Sequence, residues 1–341
     1  MLRLLSRVIM VVALDCALVS GSVLVFDFAL APASAREPAK KTAKMPASPK
    51  ESKKYREVIF PKHSLGRLYD LKPGMDWLKV KAVDGTFLGT AAGLQVVPLS
   101  ARLGLELDAS VADEPKLLET LAPDALFALR SRNLEQSDSF LYSVYHLTGL
   151  RRLDLLDCSF TDKAVSGLVR LSQLERLTLG TCGLTGSCFG DLTQLKNLKY
   201  FGASCNKLDR QSISYVARMP ALIHLDLART QITDAELLTI TKLSKLETLN
   251  INSNPALTSK GFSALKSLRK LESLSAEYTA IKLDDLLALK GLPLRSMSLP
   301  PLKIRFSDMQ KLRSLFPNCV ISLQSHESSG DYNMIFAPVS R

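Results

Sequence analysis

Aromatic residues are scarce, at 6% of 341 residues. A core built from this chain is therefore aliphatic, and the aromatic platforms on which bases stack are missing from the pattern. Histidine is scarcer still: His63, His146, His224 and His326 are scattered and show no metal-ligand spacing. The chain carries no glycine-rich phosphate loop and no nucleophile elbow. We therefore expect no cofactor, no metal and no enzyme. Cysteine is limited to six residues, and Cys16 sits in an N-terminal segment set apart below, which leaves an odd number. An odd count argues against a complete disulfide framework. Hydrophobic residues at 46% and charged residues at 23% suit a folded soluble chain. The formal net charge is +11, but much of the excess lies in one short segment, so it is a weak argument for nucleic acid and none is expected as partner.

That N-terminal segment, 1–35, reads as an export signal. Arg3 and Arg7 precede an apolar stretch from Val8 to Ala31, and Ala33-Ser34-Ala35 matches a small-x-small cleavage site. Cleavage after Ala35 predicts an exported protein of the cell envelope, periplasm or exterior. An uncleaved membrane anchor is disfavoured by Asp15 and Asp27, each costing roughly 2.5–3.5 kcal/mol at a bilayer centre. No stable membrane insertion is expected after cleavage. The basic cluster from Lys40 to Arg56 counts against export, because positive charge there resists translocation. Asp15 before Cys16 is a poor lipidation signal. Residues 36–57 are rich in Lys, Ala, Pro and Ser without apolar periodicity, which reads as a disordered linker.

Residues 58–122 read as a small β-rich cap. Trp77 to Val83 and Leu103 to Asp108 alternate like strands, and Gly85 to Gly89 and Leu94 to Leu99 read as further short strands broken by glycine and proline. A solenoid needs such a cap to cover its first apolar face.

From 123 to 323 the chain repeats. Leu150 to Cys158, Leu174 to Cys182, Leu198 to Asn206, Leu222 to Thr230, Leu246 to Asn254 and Leu271 to Thr279 each read L-x-x-L-x-L-x-x-(N/C/T). Leu126 to Leu134 and Leu294 to Leu302 fit as degenerate rungs, giving about eight of about 24 residues. The paired leucines of L-x-L point inward and the alternate residues outward. The ladder position, Cys158, Cys182, Asn206, Thr230, Asn254 and Thr279, lies where the chain turns and should bond buried backbone groups. Cys158 and Cys182, one rung apart, are expected as buried free thiols, although their backbone spacing also permits a bridge. Thr161-Asp162, Thr233-Asp234 and Thr258-Ser259 offer oxygens to cap a short helix, with Leu237 and Leu238 supplying its buried face. The third rung carries Phe201 and Ala203 in place of leucines and is expected to be looser. Leu315 to Leu323 ends in a closing strand, and 324–341 is a tail of which Tyr332 to Val339 either packs as an edge or stays loose.

These rungs resemble leucine-rich repeat proteins of the ribonuclease-inhibitor-like, cysteine-containing kind. More narrowly, Leu222 to Leu237 resembles the exported bacterial rung L-x-x-L-x-L-x-x-T-x-I-T-D-x-x-L. Asp84-Gly-Thr, Val97-Pro-Leu-Ser and Leu103-Gly-Leu-Glu-Leu resemble the region before such repeats. The resemblance implies an α/β solenoid, with a curved parallel sheet on the concave side and short helices on the convex side. It also implies a protein-binding concave face.

Alternation places Arg130, Arg132, Arg152, Asp154, Arg176 and Thr178 on that face in the early rungs. Tyr200, Gly202, His224 and Asp226 follow, then Thr248, Asn250, Asn252, Ser273, Ser275 and Glu277. Stacked guanidinium groups about 5 Å apart repel, which predicts an acidic protein partner over the arginine end. The competing reading is that exposed strands need charge for solubility. His224 and Asp226 face the same way and could form half of a hydrolytic site, but no nucleophile can be named beside them. The favoured function is non-catalytic recognition by a monomer. An envelope or matrix polyanion binder, and an intracellular F-box-like adaptor if the N-terminal segment is retained, stay open.

Overall fold

A computed structural model describes residues 54–72, 85–132, 137–300, 302, 305–323 and 334–336. The signal, nearly all of the linker, the strand expected from Trp77 to Val83 and most of the tail lie outside the described residues. The cap comprises β1 (Tyr55–Ile59), β2 (Gly66–Leu71), β3 (Gly85–Thr90), β4 (Leu94–Pro98) and β5 (Leu103–Leu107). Strand β1 begins inside the segment assigned to the linker. It pairs with β4 in a two-stranded antiparallel sheet. Strands β3, β2 and β5 pair antiparallel, and β5 continues in parallel into β6 (Ala128–Arg132). The cap and the repeats thus share one sheet. Two 3-10 turns, Ala109–Ala112 and Pro115–Thr120, cross between β5 and β6.

The repeats then alternate strand and short helix. Helix α1 (Asp138–Val144) is followed by β7 (Arg152–Leu156), α2 (Asp162–Ser166), β8 (Arg176–Gly180) and α3 (Phe189–Leu192). Next come β9 (Tyr200–Gly202), α4 (Arg210–Val216), β10 (His224–Asp226), α5 (Asp234–Ile240) and β11 (Thr248–Asn250). Helix α6 (Ser259–Ala264), β12 (Ser273–Ser275), β13 (Ser296–Leu299), α7 (Phe306–Leu315) and β14 (Val320–Leu323) complete the stack. Strands β5 to β14 run parallel in chain order, and β15 (Met334–Phe336) adds an antiparallel edge to β14.

Leucines at the repeat positions form one continuous core: Leu153, Leu155, Leu177, Leu179, Leu225, Leu227 and Leu249 are at most 1% exposed. The third rung is packed rather than loose. Phe201 and Ala203 are fully buried, and the Phe201 ring meets Phe189 edge-on at 5.0 Å, so the larger ring fills the space two leucines would share. Asp209 caps α4 by accepting from the Ser212 amide at 2.6 Å. One expectation for the helices fails. Leu237 is fully buried but Leu238 is 60% exposed, because consecutive helical residues lie about 100° apart and only one can face the core.

Backbone turns repeat as strictly as the leucines. Asp157, Thr181, Cys205, Arg229, Ser253 and Tyr278, one per rung, all take left-handed φ between 52° and 58°. Each immediately precedes the ladder position. The Thr-Asp pairs divide two tasks: Thr161 accepts from the Ala164 amide of its own helix, while Asp162 accepts from the Thr185 amide and hydroxyl one rung on. Asp138 does the same for Thr161, and Asp234 for Thr258.

Candidate functional site

Register aligns the outward residues of the strands into rows across the sheet. One row runs Ala128, Arg152, Arg176, Tyr200, His224, Thr248, Ser273 and Ser296. The neighbouring row runs Arg130, Asp154, Thr178, Gly202, Asp226, Asn250, Ser275 and Ser298.

The arginine end differs from a column of mutually repelling cations. Asp154 stands directly opposite Arg130 and accepts from its Nη2 at 3.5 Å, from Arg176 Nε at 3.0 Å and from the Thr178 hydroxyl at 2.7 Å. Arg130, Asp154, Arg176 and Thr178 are all buried. The acidic group expected from a partner is thus supplied by the chain itself, for the same Coulombic reason. Burial by itself would raise the Asp154 carboxyl, but Arg176, Arg130 and the Thr178 hydrogen bond outweigh it and bring it down to about 2. Burial lowers the Arg130 guanidinium to about 10 against the opposing pull of Asp154. The Arg176 guanidinium also lies over the Tyr200 ring, 3.9 Å from its centroid, and Tyr200 in turn meets the His224 ring at 6.0 Å. A Cβ at Gly202 would come within 3.3 Å of the Tyr200 ring, so glycine there lets the ring lie across the sheet.

Further along, the expected surface donors and acceptors turn toward the backbone. Asp226 accepts from the Ala228 amide at 3.1 Å, and Asn250 from the Asn252 amide at 3.1 Å. Both are local Asx turns. Asn252 is fully buried and accepts from the Glu277 amide at 2.7 Å, so it ties two rungs together rather than presenting itself outward. Arg132, Arg152, His224, Asp226, Asn250 and Glu277 are half-buried. Burial raises the Asp226 carboxyl to about 6, with the Ala228 amide and Arg176 opposing only in part, and burial also raises Glu277. His224 and Asp226 share a face, but no Ser, Thr or Cys nucleophile joins them in their rows on β9 or β11 except Thr248, which lies opposite His224. Among the described residues no group of three or more His, Cys, Asp or Glu could hold a metal ion.

The ladder behind the strands is hydrogen-bonded throughout. Asn206 accepts from the Cys182 and Leu184 amides at 3.1 and 3.0 Å and donates to Leu179 and Ala203 carbonyls. Asn254 repeats this with Thr230, Ile232, Leu227 and Ile251. Thr230 and Thr279 hydroxyls donate to Leu227 and Ala276 carbonyls, both three residues back. Cys158 and Cys182 are buried free thiols that donate to carbonyls, and the interaction with Cys158 together with burial pushes Cys182 well up.

A second outward cluster, where the cap meets the first rung, was not anticipated from the sequence. Tyr69, Leu71, Phe127 and Ala128 pack together on the face opposite the core. The signal was present in Leu-Tyr-Asp-Leu, where apolar residues occupy both faces of one strand.

The repeat geometry makes this an α/β leucine-rich repeat solenoid. No protein-family model matches the chain, and no curated protein matches it by sequence. Among solved structures it is similar to an internalin, InlF, of Listeria monocytogenes, with 22% identity over 62% of this chain and 71% of that one and a TM-score of 0.45. Internalin C2 of the same organism gives 23% identity, 57% and 80% coverage and a TM-score of 0.44. A TLR13–ssRNA13 complex gives 22%, 64% and 34%, with a TM-score of 0.43. No helix among the described residues is long and apolar enough to cross a membrane.

Proposed function

We propose that this chain is a non-catalytic recognition scaffold that binds a protein partner on the outward, concave face of the repeat sheet, as a monomer and after export. The observation that carries the reading is the unbroken register from β6 to β14, which fixes the outward rows before any partner arrives. A preformed surface loses little ordering entropy on binding. The later rungs carry small neutral polar residues, such as Thr248 and Ser275, in these rows, a composition suited to a polar interface. The polyanion reading is weaker, because Asp154 already neutralises part of the arginine end.

Affinity capture from envelope and medium fractions tests the proposal, comparing the native chain with a folded Thr248→Arg/Ser275→Arg variant. A partner held by the first and lost by the second is the expected result. Identical captures by both baits refute recognition on this face.

A further inference from the structure

The outward face is polar along the later rungs but not at its N-terminal end. Leu68 and Leu129 point into the core, so alternation turns Tyr69, Leu71 and Ala128 to the opposite side. There Leu71 and Ala128 are buried in a cluster of their own, covered by Tyr69 and Phe127. Phe87 pairs with Tyr69 across β2 and β3, meets its ring edge-on at 5.6 Å and is 50% exposed. Two guanidinium groups flank the patch: Arg102 and Arg152 stand 5.4 and 5.5 Å from the Phe127 centroid. Arg102 is exposed, as is Arg67 on β2.

A strand face that only meets water needs charge, not a separate aromatic cluster. Aromatic rings bordered by arginine are instead the composition of a binding core. The chemistry is also directional. Stacking engages the face of a guanidinium, and a carboxylate is bound through its in-plane N–H edge, so Arg102 can serve Phe127 and an anion together. Glu106, which accepts from the Tyr69 hydroxyl at 3.4 Å, and Asp70, which accepts from the Arg102 amide at 3.0 Å, place negative charge within the same area. That mixture disfavours a uniform polyanion and favours a ligand that alternates charge with apolar groups.

We propose that this patch docks an extended acidic segment of a partner protein, seating an aromatic side chain on Phe87 and Tyr69 and a carboxylate on Arg102. The proposal rests on the recognition reading above and names the end of the sheet and the chemistry involved.

The test uses the full chain and three fluorescein-labelled peptides, alternating Glu-Phe, Glu-Ser and Lys-Phe, followed by fluorescence anisotropy. The Glu-Phe peptide should bind roughly tenfold tighter than either control. Phe87→Ser and Arg102→Glu, both at exposed positions, should each lower that affinity by roughly tenfold, and Arg102→Glu should shift preference toward Lys-Phe. The Thr248→Arg/Ser275→Arg variant should bind Glu-Phe unchanged. Equal binding of Glu-Phe and Glu-Ser, or of Glu-Phe and Lys-Phe, overturns the proposal, as does insensitivity to Phe87→Ser. Loss of Glu-Phe binding in Thr248→Arg/Ser275→Arg overturns it too, while leaving recognition by the later rungs intact. Glu-Phe binding at the patch without any partner lost by that variant supports the patch and fails the broader reading.

Discussion

Asn254→Ala isolates what the ladder contributes. The native side chain is fully buried and makes five bonds to backbone: it accepts from Thr230 and Ile232 amides, both at 3.2 Å, and donates to Leu227, Ile251 and Asn252 carbonyls at 2.9, 3.0 and 3.2 Å. Alanine leaves those five groups without the side chain that bonded them. Each orphaned buried group costs about 1–3 kcal/mol, and partial relaxation brings the expected sum to roughly 3–4 kcal/mol. The loss should be local, because a solenoid is held by nearest-neighbour contacts. Native-state hydrogen exchange reads it directly. The Thr230 and Ile232 amides should exchange roughly a few hundredfold faster, while the Cys182 and Leu184 amides, held by Asn206, keep their protection. Asn250→Ala is the control, since that half-buried residue accepts from the Asn252 amide, and its loss should cost about 0.5–1.5 kcal/mol. If Asn254→Ala costs no more than the control, or the two amides keep their protection, the ladder does not carry the turn.

Three other perturbations follow from the same geometry. Leu237→Ala should cost about 2–5 kcal/mol in urea unfolding, whereas Leu238→Ala should stay within about 0.5 kcal/mol; equal effects would contradict the assigned helix face. Asp226 has a raised carboxyl, so its protonated form favours folding and its contribution is lost as pH rises through about 6. Asp226→Asn keeps an acceptor for Ala228 and should stabilise the chain at pH 7.5 by up to roughly 3 kcal/mol with little gain near pH 4; a pH-independent effect would refute it. Asp154 is the opposite case: its carboxyl is depressed to about 2, so its stabilisation is complete above about 4 and disappears as pH falls through about 2. Asp154→Ala removes the carboxylate that pairs two buried arginines and should cost roughly 3–5 kcal/mol at pH 7, and a neutral result would show that water or relaxation replaces the pair.

What the sequence disclosed and what it hid follow from the range of the forces involved. Leu153, Leu155 and their counterparts were legible because side-chain direction in a strand depends only on position within the strand. The ladder residues were legible because the same turn recurs every rung. Which outward residues meet one another depends instead on register between strands some 24 residues apart. Alternation puts Arg130, Asp154 and Arg176 on one face, yet their ion-pair chain required knowing that Asp154 sits opposite Arg130 and within reach of Arg176. Asn252 was misplaced for a related reason: past the strand end, alternation no longer governs direction, and its carbonyl oxygen serves the Glu277 amide. The aromatic patch is the extreme case. Tyr69 and Phe87 come from two strands of a cap without any repeat and Phe127 from the degenerate first rung, so no periodicity marked them together. In a repeat protein the scaffold is periodic because every rung must stack on the next, whereas specificity has to break that period. The residues that depart from the repeat, Tyr200 over Gly202 and the ring cluster at the first strands, are therefore where selective recognition has the most to use.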